Sequence, residues 1–153
     1  MILYLDASAL VKRYIAEPGT REVAEAIAAA EVVGTSLISR AETSAALAKA
    51  CRVGTLTREE AFAALEIFRG EWSRFVRVQA SEALMAQADA VAWELGLRGY
   101  DAVHLASALL WQHDVSAQVM VATFDQQLWE AVRQRGLRAF PEDLPAMLAS
   151  WRT

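Results

Sequence analysis

Cysteine is nearly absent from the 153-residue chain: Cys51 stands alone. A single thiol cannot close an intramolecular disulfide and has no companion for a metal–thiolate site. A reducing cytoplasm is the simplest setting for such a chain. Lysine is almost as scarce, with Lys12 and Lys49 the only two, and the formal net charge is −4. That balance excludes a protein that grips nucleic acid over a broad basic surface, so any such contact must be local. Three prolines and seven glycines are scattered singly, which leaves no linker, repeat or low-complexity tract and predicts one domain over residues 1–153. No apolar run approaches the roughly 18 residues a spanning helix needs, and the start, Met1-Ile2-Leu3-Tyr4-Leu5-Asp6, lacks the basic flank and cleavage site of a secretory signal. The reading is of a soluble cytoplasmic protein.

What the chain does contain is apolar material, 55% of residues, sufficient for a proper core. Short β-branched runs at Ile2–Leu5, Val32–Thr35, Phe75–Val78, Val119–Ala122 and Leu137–Phe140 alternate with longer stretches of helical period. Thr57-Arg58-Glu59-Glu60 reads as a capping box, Ser81 as a helix cap, and Gly54, Gly96 and Gly136 as helix stops. Strand and helix in alternation predict an α/β fold, a parallel central sheet flanked by helices in three layers. In open sheets of this kind ligands bind beyond the carboxyl ends of the strands.

Acids cluster at those ends. Asp6 closes the first strand, Asp125 follows the fourth, Asp101 opens the helix Ala102–Trp111, and Glu42 lies one turn into the helix after the second strand. Each has an ordinary explanation: Asp is a preferred N-cap, and Glu42 suits a solvated helix face. Their joint placement says more. Like charges sharing a site repel unless a cation neutralises them, and oxygen ligands without cysteine select Mg²⁺ or Mn²⁺ over zinc. Such ions activate water for in-line displacement at phosphorus, which is phosphodiester hydrolysis.

Ser8 and Thr123 carry hydroxyls able to orient a carboxylate at the same edge, or simply to cap and fill. His104, one turn after Asp101, reads as a packed residue holding that acid; His113 reads as surface. Lys12, Arg13 and Arg40 are the bases nearest the acids in sequence and are nominated for RNA-backbone contact, with ordinary surface charge as the alternative. Cys51 reads as a buried small hydrophobe, and the five tryptophans as core or interface anchors.

Four segments, Leu5-Asp6-Ala7-Ser8-Ala9-Leu10-Val11-Lys12, Ser39-Arg40-Ala41-Glu42, Tyr100-Asp101-Ala102-Val103-His104-Leu105-Ala106-Ser107-Ala108-Leu109 and Val121-Ala122-Thr123-Phe124-Asp125, resemble the PIN-domain nucleases over essentially the whole chain. The likeness is greatest to the VapC-type toxins of bacterial and archaeal toxin–antitoxin pairs. The resemblance implies a metal site of Asp6, Glu42, Asp101 and Asp125 supported by Ser8 and Thr123, RNA cleavage with Mg²⁺ or Mn²⁺, a homodimer, and inhibition by a cognate antitoxin. The same family includes RNA-maturation nucleases and inactive binding scaffolds. A phosphatase using Asp6 as nucleophile is the rival chemistry; it needs a second Asp two residues on, where Ser8 stands, and a lysine beyond Lys49, where there is none.

Overall fold

A computed structural model describes all residues, Met1–Thr153. Five strands, β1 (Ile2–Leu5), β2 (Val32–Ser36), β3 (Val76–Val78), β4 (Val119–Ala122) and β5 (Arg138–Phe140), form one sheet in the order β3-β2-β1-β4-β5. Every pairing is parallel, with Leu3 beside Val33 on one flank and Met120 on the other. The expected strands are met to within a residue or two at their ends. Seven helices connect them and an eighth follows β5: α1 (Ala7–Leu10), α2 (Thr20–Ala29), α3 (Ser39–Arg52), α4 (Arg58–Glu71), α5 (Glu82–Leu95), α6 (Gly99–Val115), α7 (Gln126–Gln134) and α8 (Leu144–Ser150).

The central strands β1 and β4 are apolar throughout because both faces of the sheet are covered there, while the edge strands β3 and β5 carry Arg77 and Arg138. Side chains alternate along β1. Leu3 and Leu5 pack with Leu10, Ala26, Phe68 and Trp72, so α1, α2 and α4 cover that face. Tyr4 points the other way, into a larger cluster with Leu84, Val91, Val103, Leu105 and Leu128, so α5, α6 and α7 cover the second face. A smaller cluster of Val11, Ile15, Leu47, Ala50 and Ala64 fastens α3 to α4. The Thr57–Glu60 capping box starts α4, Ser81 caps α5 by accepting from the Leu84 N–H, and Gly96 ends α5 at φ 67°. Cys51 is half-buried rather than enclosed. No helix is long and apolar enough to cross a membrane.

This topology decides where acids can meet. The chain leaves β1 to build β2 on one side and returns to build β4 on the other, so the loops after β1 and β4 diverge and leave a crevice at the sheet's carboxyl edge. The Asp6 N–H donates to the Ala122 carbonyl at 3.2 Å and the Thr123 N–H to the Phe140 carbonyl at 3.0 Å, which carries the ladder to the edge. Three residues separate α6 from β4, so α6 must run against the strand direction and begin at that same edge.

One glycine is required by packing. A Cβ at Gly34 in β2 would lie 2.6 Å from the Trp111 ring of α6, and Trp111 is itself buried beside Tyr4. Gly34→Ala is expected to destabilise the fold by about 1–3 kcal/mol through overpacking, read as a lowered urea midpoint at unchanged slope.

Candidate active site

Asp6 is the most enclosed acid, 3% exposed, at the N-cap of α1. Its Oδ1 accepts from the Ala9 N–H at 2.9 Å and the Ser8 hydroxyl at 2.7 Å. Its Oδ2 accepts from the Thr123 hydroxyl at 2.6 Å. Burial raises the Asp6 pKa, against the opposing influence of His104 and of these donors. Thr123 in turn accepts from the Asp125 N–H at 3.1 Å, and Ser8 from the Phe124 N–H at 3.0 Å. Ser8 and Thr123 therefore tie the loop after β1 to the loop after β4, whatever they do in catalysis.

Asp125 caps α7, where its Oδ1 accepts from the Leu128 N–H at 2.9 Å. Its Oδ2 accepts from Arg98. Asp101 does not open α6 as expected: the helix begins at Gly99, with Arg98 as N-cap, and the acid sits in the first turn. Its Oδ2 accepts from Arg98 Nε at 3.1 Å. Burial, followed by the repulsion of Asp125, raises the Asp101 pKa, and Arg98 opposes both. Two acids from separate elements thus share one guanidinium.

Glu42 lies in the first turn of α3, and its Oε1 is 2.8 Å from His104 Nε2. His104 is 2% exposed, and its Nδ1 is 2.7 Å from the Tyr4 hydroxyl. Burial holds the Tyr4 pKa well above its ordinary value, and since a carboxylate only accepts, a neutral His104 that gives its Nε2 proton to Glu42 accepts from Tyr4 at Nδ1. The network assigns the remaining imidazole proton to Nε2, donated to Glu42. The expectation that His104 holds Asp101 is corrected: it holds Glu42, because the side chain of residue 104 leans into the sheet toward Tyr4. His113 is at the surface.

Hydrogen bonds link Asp6, Asp125 and Asp101 through Thr123 and Arg98 and, in a separate set, Glu42 through His104 to Tyr4, although no three acidic or histidine side chains are close enough to enclose an ion. The donor set is still that of a hard divalent cation: carboxylate and hydroxyl oxygens, without thiolate, with a positive group already lying between Asp101 and Asp125. Magnesium typically keeps several waters and needs only one or two carboxylates, which suits a loose cluster.

Two of the three nominated bases are occupied. Lys12 is 7% exposed, with Nζ donating to Glu17 at 3.0 Å and to the Pro18 carbonyl at 2.7 Å. It also lies 4.5 Å from the Phe124 ring centre, so its charge holds the loop after β4 from inside. Arg13 pairs with Glu71 at 2.6 Å. Arg40 is exposed on the first turn of α3, its guanidinium 5.9 Å from the Trp72 ring centre. Arg98 went unnoticed in the sequence. The available signal was its place three residues before Asp101, one helical turn away. Of the tryptophans, Trp72, Trp111 and Trp129 are buried, Trp151 stacks on Phe124, and Trp93 is 91% exposed.

With this geometry established, comparison with known proteins is direct. The PIN domain family model matches residues 3–133. The chain belongs to the PIN-domain family. It is 32% identical over 143 residues to ribonuclease VapC45 of Mycobacterium tuberculosis (strain CDC 1551 / Oshkosh), covering 94% of this chain and 97% of that protein, and equally to ribonuclease VapC49 of strain ATCC 25618 / H37Rv. Among solved structures the fold resembles VapBC2 from Rickettsia felis bound to a DNA fragment from its promoter, with 19% identity, TM-score 0.62 and coverage of 91% and 97%. It also resembles the FitAcB structure from Neisseria gonorrhoeae, with 24% identity, TM-score 0.61 and coverage of 93% and 98%. As a PIN domain, the chain places its acids at the edge where its own β1 and β4 loops are cross-tied.

Thr123→Val keeps shape but removes the donor to Asp6 and the acceptor for Asp125. The expected loss is about 1–3 kcal/mol of stability in chemical denaturation, because buried partners are left unpaired.

Proposed function

We propose that this PIN domain is a ribonuclease that hydrolyses RNA phosphodiester bonds with Mg²⁺ or Mn²⁺, and that it is the toxin of a type II toxin–antitoxin pair. The observation that supports the reading is that Asp6 and Asp125 are tied through Thr123 beyond the ends of β1 and β4 while Asp101 and Asp125 share Arg98 as a cationic partner. The 32%-identical mycobacterial relatives are ribonucleases by name, and structural neighbours include a toxin–antitoxin complex from Klebsiella pneumoniae. Those likenesses support the activity and an antitoxin partner.

Asp6, Glu42, Asp101 and Asp125 are the residues that would hold the ion. Bound there, it supplies charge neutralisation at the scissile phosphate and lowers the pKa of water. The chain's own groups do the rest. Thr123 and Ser8 fix the direction of the Asp6 carboxylate; His104, braced by Tyr4, fixes Glu42; capping of α7 fixes Asp125. Acids held this way need little reorganisation when substrate arrives. Arg40, exposed two residues before Glu42, is the nominated base that remains for contact with the RNA backbone. A homodimer and a cytoplasmic setting complete the reading.

The test is incubation of the purified chain with a mixed pool of structured RNAs, in Mn²⁺ or in chelator, beside Asp101→Asn. Cleavage is expected only with Mn²⁺ and should fall roughly a hundredfold or more in the variant. A folded protein that neither binds Mn²⁺ nor cleaves RNA would sink the catalytic reading in favour of a binding scaffold. Retention of full cleavage by Asp101→Asn would move the chemistry away from this edge.

A further inference from the structure

Arg98 is the one base in contact with two of the four acids. It reaches Asp101 by Nε and Asp125 by Nη2, and in each acid the atom engaged is Oδ2. Asp125 Oδ1 is meanwhile committed to the α7 cap. The guanidinium thus occupies the one Asp125 oxygen that its helix cap leaves over and one of the two Asp101 oxygens. Its setting differs from that of the other bases near the site. The Lys12 side chain is 9% exposed and its charge is held by Glu17, Pro18 and Phe124; that of Arg98 is 69% exposed, caps no helix with its side chain, and makes hydrogen bonds only to the two acids. The acids it bridges are themselves only 13% and 24% exposed, and Asp125 is fixed by its helix cap, whereas the arginine lies largely in solvent.

Two like charges brought together by β4 and α6 need a positive partner at all times. An exposed arginine supplies one weakly, since solvent-accessible ion pairs contribute little and break readily. A divalent cation carries twice the charge at a smaller radius and competes for the same oxygens. We propose that Arg98 is a built-in counter-ion that neutralises Asp101 and Asp125 and yields its place when a divalent cation enters. This rests on the metal-dependent reading given above.

The proposal reverses the expectation for an ordinary structural bridge. Removing a permanent brace would loosen the acids and weaken cation binding. Removing a competitor strengthens it, because the ion no longer has to displace anything. Titration calorimetry of the whole chain with Mn²⁺ alone, at fixed ionic strength, distinguishes the two without reference to RNA cleavage. Arg98→Gln is expected to tighten Mn²⁺ binding on the order of tenfold, given two exposed pairs lost to the competition. Arg98→Lys keeps the charge but cannot bridge both acids with a planar fork, and should fall between wild type and Arg98→Gln. Arg138→Gln, exposed on β5, removes the same net charge elsewhere and should leave the affinity within about twofold of wild type. Unchanged or weaker binding by Arg98→Gln, or an effect no larger than that of Arg138→Gln, would overturn the proposal while leaving the nuclease reading intact. Absence of Mn²⁺ binding in wild type and every variant would overturn both.

Discussion

A carboxylate held almost out of water at the junction of two loops is the constraint around which this molecule is arranged. Asp6 sits at the point where β1 ends, and its ionised form is costly there unless donors surround it. Those donors come from three places: the first turn of its own helix, the Ser8 hydroxyl, and Thr123 from across the sheet. The last is a long-range tie. It fixes the loop after β4, and with it the start of α7 and the position of Asp125. Burial of one acid therefore determines where a second stands.

Under the proposed function, structural and chemical roles coincide in these acids. Asp6 and Asp125 are helix caps by every geometric measure, yet each cap uses Oδ1 and leaves Oδ2 for a different partner. Capping is what makes them rigid, and rigidity is what a preorganised charged site requires. The choice between a capping aspartate and a functional one, which a sequence presents as alternatives, dissolves once the two oxygens are considered separately. Glu42 reaches the same end by a different route, held through His104 and Tyr4 from the core beneath it.

The electrostatic design is local. With a net charge of −4 the surface offers no general attraction for a polyanion, and Lys12 and Arg13 are spent on internal pairings. Positive charge is instead placed where negative charge is concentrated, at Arg98 between two acids. Such a protein depends on what enters the crevice rather than on what its surface collects.

Strand positions, helix starts and the three-layer parallel architecture were legible from periodicity and capping, because Ile2–Leu5 or Thr57–Glu60 carry their structural instructions within a few residues. Asp6 and Asp125 were legible together because a parallel sheet delivers its strand ends to one edge. Their partners were not. That His104 serves Glu42, that Lys12 turns inward, and that Arg98 links Asp101 to Asp125 all depend on pairings between residues 62, 112 and 27 positions apart for the first, the Phe124 contact and the last. Local sequence determined which groups stand at the edge; only the packing of α6 against β2 and the cross-tying of the β1 and β4 loops decided which of them touch, since a side chain's charge partner is set by what the fold brings within hydrogen-bond reach.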